Sequence, residues 1–134
     1  MSILSDERRI YKRVFFSASQ GPQADFYNPE SPGKPISTTI LDLSLGGLGL
    51  LLRKNGEPLL EEGDLLILKH IKGLKNANLN KELKTVVRWI QNYHEFKHIL
   101  FGCEFINLSD HDQDLFKNEI DTWAENVSPK RQKT

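Results

Sequence analysis

Apolar positions in this chain fall first in short runs of strand length, and only near the C-terminus at helical spacing. Val14-Phe15-Phe16 opens the first strand. Ile36 to Leu43, with Thr38, Thr39 and Ile40, is rich in β-branched side chains and predicts a second. Gly46-Gly47 breaks it and Leu48 to Arg53 resumes, ending at the turn signal Asn55-Gly56 with Pro58 behind it. Asp64 to Ile71, Leu83 to Ile90 and Ile99 to Ile106 bring the expected strands to six. A turn at Asn92 to Glu95 joins the last two. Gly21 to Pro35, rich in Pro, Gly, Ser and Asn, reads as a loop. So does Gly73 to Asn80, a polar stretch with lysine and asparagines to which the sequence gives no role.

The period then changes. Phe116, Ile120, Trp123 and Val127 recur at i, i+4, i+7 and i+11, one apolar face of a helix. Ser109 with Asp112 three residues on has the form of a capping box, with Asp in place of Glu. Asp110, Asp112 and Asp114 sit where a helix dipole favours negative charge. Pro129 predicts an end. Short strands between turns, then one helix, predict an all-β chain with a C-terminal helix, built as a six-stranded antiparallel β-barrel. Residues 1–7 are expected to form a flexible tail, 8–127 the domain, and 128–134 a disordered basic tail.

Composition narrows the classes. At 134 residues, one domain is expected, and 38 % hydrophobic content supplies one modest core. The formal net charge is +0, which argues against a nucleic-acid polymer as ligand, because phosphate neutralisation needs a basic excess. The single cysteine, Cys103, lies in an apolar run and reads as a buried structural thiol, consistent with a reducing cytoplasm. No apolar run approaches the length of a membrane span, so no membrane insertion is expected. His70, His94, His98 and His111 have no metal-ligand spacing. No nucleophile–base arrangement or phosphate-cradling loop is visible, so no enzyme is expected.

Two motifs carry chemistry. Arg9-Ile10-Tyr11-Lys12-Arg13 reads R-x-x-x-R, and two guanidinium groups four apart point to one side and suit a dianion. Each can also bind the O6/N7 edge of guanine with two parallel hydrogen bonds. Asp42-Leu43-Ser44-Leu45-Gly46-Gly47 reads D-x-S-x-x-G. On a strand, Asp42 and Ser44 share one face, expected to be the outer one, with Leu41, Leu43 and Leu45 inside. An ionised Asp is an acceptor only, which matches the adjacent N1–H and N2–H donors of guanine. Gly47 permits a positive φ or the close approach of a ligand.

In order and separation the two motifs resemble those of the PilZ domain, the bacterial receptor module for cyclic di-GMP. Thr85-Val86-Val87-Arg88-Trp89 is similar to the family's V-x-W strand, and Phe101-Gly102-Cys103-Glu104-Phe105-Ile106 to its following G-x-x-F strand. The resemblance covers roughly residues 7 to 126. It implies a six-stranded barrel with a closing helix, and cyclic di-GMP as ligand with no other cofactor. Arg9 and Arg13 would grip phosphate and guanine, Asp42 and Ser44 would hydrogen-bond guanine, and Gly46 with Gly47 would give backbone access. Arg8, directly before the arginine motif, implies an intercalated pair of ligand molecules per protomer. The receptor reading also implies a protein partner, unidentified by the sequence, and an arginine segment that changes conformation on binding. The alternatives are a PilZ-like barrel that binds protein only, with vestigial motifs, and an oligonucleotide-binding barrel.

Overall fold

The computed structural model describes residues 12–54, 60–77, 79 and 81–132, the last eight of these by their backbone alone. Seven strands precede one helix: β1 (Arg13–Phe15), β2 (Gln23–Asn28), β3 (Ser31–Ser44), β4 (Gly47–Arg53), β5 (Leu65–Lys72), β6 (Leu83–Gln91), β7 (His98–Phe105) and α1 (Asp110–Gln132). All pairings are antiparallel. The spatial order is β1-β3-β2-β5-β6-β7-β4, and β4 returns to β3, so β2 to β7 close into a six-stranded barrel. Closure pairs every barrel strand on both sides and leaves the short β1 as an appended edge.

The count of six is as expected, but one member differs. Residues 21–35 hold β2 and the start of β3 rather than a loop. Ala24 and Phe26 are fully buried while Gln23 faces out, a period of two that the surrounding prolines and glycines obscure. Asn28 Oδ1 accepts the Glu30 N–H at 2.9 Å and turns the chain. Pro32 and Pro35 lie in the exposed opening of β3, where a missing ladder donor is tolerated. The expected first strand, β1, lies outside the barrel. It pairs with the end of β3, Phe15 opposite Asp42, just beyond the stretch where β2 pairs with Thr39. The two segments run one after the other along β3, and the link between them is tight: a Cβ on Gly21 would fall 2.7 Å from the Ile40 carbonyl oxygen.

Irregularities in β3 and β6 set which side chains face out. In β3 the buried positions are Ile36, Thr38 and Ile40, and then Leu43 and Ser44. The register with β4 shifts between Ile40 and Asp42, so the extra residue, Leu41, reverses the alternation. Leu41 and Leu45 are half-buried and only Leu43 belongs to the core, which corrects the expectation that all three leucines point inward. A second shift falls between Val87 and Trp89. Val87 stays in the core, and both Arg88 and Trp89 are exposed.

The core joins Phe26, Leu43, Leu50, Leu66, Leu68 and Phe101 inside the barrel to Phe116 and Ile120 of the helix. Phe105 and Phe116 stack with centroids 4.8 Å apart at the barrel end. Ser109 caps α1: its Oγ accepts the Asp112 N–H at 3.1 Å, and its carbonyl accepts that of Gln113. The carboxylate of Asp112 does not complete a capping box. It is buried and meets Lys81 Nζ at 2.9 Å. The helical backbone continues to Gln132, past Pro129 and across most of the expected tail. Proline removes one donor there, while its fixed φ is compatible with a helix. Val127 lies outside the described side chains.

The polar stretch after β5 has a structural role that the sequence conceals. Glu119, on the helix face with Phe116 and Ile120, is fully buried. Its carboxylate accepts the backbone N–H groups of Lys75 (2.9 Å), Asn76 and Ala77 (2.9 Å), and Trp123 Nε1 at 2.5 Å. Three consecutive amides aimed at one point form a concave anion site, here filled by the protein's own carboxylate. Asn76 Nδ2 donates to Thr122 Oγ1 at 3.0 Å, and Lys75 Nζ sits 5.2 Å from the Trp123 ring centre.

Candidate functional site

Asp42 and Arg13 come together on the outside of the barrel. Arg13 opens β1 opposite Ser44, and its guanidinium donates to Asp42 Oδ1 at 2.6 Å. The side chains are 37 % and 17 % exposed, so solvent reaches the pair. β1 is held from its far end, where the Phe16 N–H donates to the Leu41 carbonyl at 2.9 Å and the Phe16 ring packs edge-on against Trp123 at 5.0 Å. Lys12 adds an ion pair to Asp121 of the helix at 3.4 Å. Arg8 and Arg9 lie outside the described residues.

The remaining motif residues serve the fold more visibly than an open surface. Ser44 is buried, not outward and open as expected; its Oγ accepts the Gly46 N–H at 3.2 Å, a local turn contact. The carbonyl of Gly46 accepts the Phe105 N–H at 2.9 Å. Gly47 is buried, and a Cβ there would overlap the Cys103 carbonyl of β7. Its φ is not among the positive ones, so the close approach it permits is that of the neighbouring strand. Burial pushes the Cys103 thiol up to about 12, partly offset by a hydrogen bond with Thr85.

Register reveals further residues beside Asp42. Phe15 pairs with Asp42, Asp42 with Gly49, Gly49 with Gly102, and Gly102 with Trp89. This single row crosses β1, β3, β4, β7 and β6. Cross-strand partners share a face, so the row lies on the outside of the barrel. A Cβ on Gly49 would overlap the Asp42 carboxylate, and one on Gly102 the Trp89 indole. The two glycines thus let an acidic and an aromatic side chain lie down from opposite sides onto a floor that has no side chains of its own. Beside Trp89, Arg88 Nε donates to Glu104 Oε1 at 2.5 Å, and Glu104 is the cross-strand partner of Gly47. Gly49, Gly102 and Trp89 were not among the expected site residues. Both glycines and the tryptophan are visible in the sequence, but only the two register shifts bring them into line with Asp42.

The arrangement offers a carboxylate paired with a partly exposed arginine, a flat backbone floor and aromatic surface. That combination suits a planar, donor-bearing base attached to an anion. Among the described residues no cluster of His, Cys, Asp and Glu could hold a metal ion. No helix among them is long and apolar enough to cross a membrane.

The family model for the PilZ domain matches residues 7–122. No curated protein sequence matches the chain. The fold is shared with the PilZ domain of YcgR from Escherichia coli, solved with c-di-GMP, at a TM-score of 0.69 and 18 % identity over 95 % of this chain and 99 % of that one. It is shared too with the Bacillus subtilis inhibitor of motility MotI/DgrA, at 0.67 and 19 % over 87 % of this chain and 51 % of that one. The K. pneumonia MrkH–c-di-GMP complex gives 0.64 and 15 %, over 92 % and 54 %. This chain spans about half the length of the latter two proteins.

Proposed function

Because the chain belongs to the PilZ domain family, a family of ligand-binding regulators rather than enzymes, we propose that it is a cyclic di-GMP receptor. The observation that carries this reading is the partly exposed Arg13–Asp42 pair at the edge of the glycine floor. In the described state the two groups satisfy one another. Guanine offers Asp42 a pair of adjacent N–H donors, and the ligand's phosphate or the guanine O6/N7 edge offers Arg13 a bidentate acceptor. One molecule can therefore replace both halves of the pair. An exposed ion pair contributes little to stability, so its exchange costs the fold little. Adenine lacks the donor pair, which makes Asp42 the source of base selectivity.

Arg9 would join Arg13 on the ligand, and Arg8 would serve a second, intercalated molecule. Ordering of the 8–13 segment on binding would present a changed surface to a protein partner. The shift is driven only by contacts made in the bound state.

Calorimetric titration with cyclic di-GMP tests the reading. Saturable binding near two per protomer is expected, falling to one in Arg8→Ala. Arg13→Ala should abolish binding, and Asp42→Ala should weaken it and narrow the preference over cyclic di-AMP. A folded sample that binds no ligand would overturn the receptor reading in favour of a protein-only module. Hydrogen exchange should slow across residues 8–13 with ligand; unchanged exchange in a saturated sample would remove the ordering step.

A further inference from the structure

Phe15 is the most exposed of the large hydrophobic side chains described, at 72 %. Its neighbours along β1 explain their own positions. Val14 packs against the core, and Phe16 meets Trp123. Phe15 lies between them with its ring in solvent, where it adds nothing to the packing of the barrel. Its placement is nonetheless fixed. It is held in register with Asp42, two residues from Arg13, on a strand bonded to β3 on one side and tied to the helix by Phe16. Residues two apart on a strand share a face, so Arg13 and Phe15 both stand on the side where the Arg13–Asp42 pair forms.

We propose that Phe15 is a base-stacking residue of the ligand site, covering the face of the guanine whose edge Asp42 holds. The proposal rests on the receptor reading above. An antiparallel cross-strand pair places Cβ atoms about 5 Å apart, within reach of a base bonded to the Asp42 carboxylate. The carboxylate fixes such a base through its edge and leaves both faces to be covered. Along the row, the Asp42 carboxylate lies over Gly49 on one side and has Phe15 as its cross-strand partner on the other. An aromatic face stacks on any base, so selectivity stays with Asp42 while Phe15 adds affinity.

The test is calorimetry with cyclic di-GMP on the whole chain, joined to NMR of the bound ligand. A wild-type chain that binds no cyclic di-GMP removes the receptor reading, and the proposal with it. Given wild-type binding, Phe15→Ala and Phe15→Leu should each weaken affinity roughly tenfold or more, while Phe15→Tyr should keep it. A guanine H8 resonance should move upfield on binding to wild type and to Phe15→Tyr but not to Phe15→Leu. Leucine retains apolar bulk on β1, so its loss of both affinity and ring-current shift separates stacking from packing. Wild-type affinity in Phe15→Leu, or an unchanged H8 shift in it, would overturn the proposal and leave Phe15 as an exposed side chain free for a protein partner.

Discussion

Of the carboxylates that accept hydrogen bonds in this molecule, Asp42 and Glu119 differ most, and their surroundings assign them opposite work. Asp42 is reached by solvent, and its partner among the described residues is a guanidinium that is itself more than a third exposed. Glu119 is fully buried and has four donors, three of them consecutive backbone amides. A carboxylate saturated by backbone is an anchor, because removing it strands donors that cannot reach water. A carboxylate held by a solvent-reached cation can exchange that partner for another donor at little cost. Charge and residue type do not distinguish the two. Burial, and the number and kind of donors, do.

The contrast breaks most sharply at Glu119. Glu119→Ala should cost at least about 3 kcal/mol, since it orphans three amides and the Trp123 indole; chemical denaturation measures it. A loss below about 1 kcal/mol would mean that the 75–77 loop holds its place without the helix. An intermediate effect is expected at Cys103, buried beneath Gly47. Its folded pKa is raised above the unfolded value, so its share of stability is complete below about pH 9 and is lost as pH climbs towards the folded value of about 12. The slope should not exceed about 1.4 kcal/mol per pH unit. Cys103→Ser should flatten that alkaline limb, and a thiol reagent at neutral pH should modify Cys103 only as the barrel opens.

The smallest stability change is expected at the Asp42 end. Asp42→Ala should shift unfolding by under about 1 kcal/mol while weakening the guanine preference. Gly49→Ala sharpens the point, because its Cβ would displace the Asp42 carboxylate without removing it. Ligand affinity should fall in that variant although both members of the Arg13–Asp42 pair remain. Unchanged affinity would show that the carboxylate binds from a position off the glycine floor.

What the sequence made legible follows from range. Strands β3 to β7, the Ser109 cap and the helix stripe through Phe116, Ile120 and Trp123 rest on local periods and turn chemistry, and they appear where the spacing put them. β2 was hidden because Pro22, Pro29, Pro32 and Pro35 surround a two-residue inward pattern, Ala24 and Phe26, too short to outweigh them. The alternation through Leu41, Leu43 and Leu45 failed at a bulge, which is set by pairing with β4 and not by β3 alone. Asp42 and Arg13 were named from their chemistry and do meet. The glycine floor could not be read, since its row depends on two register shifts in different strands. The Glu119 site could not be read, because three of its four donors are backbone amides, which every sequence has.

Phe16 connects these two ends. It follows directly on Phe15, touches Trp123, and Trp123 donates to Glu119. Any free energy that a ligand exerts on β1 through Arg13 is therefore exerted three residues from a joint shared with the helix and the 75–77 loop. Linkage makes that joint a two-way one: a protein that binds α1 more tightly when β1 is docked must raise ligand affinity by the factor by which the ligand raises its own. On the receptor reading proposed above, such a joint would make the chain as much a reporter of a bound protein as of its ligand.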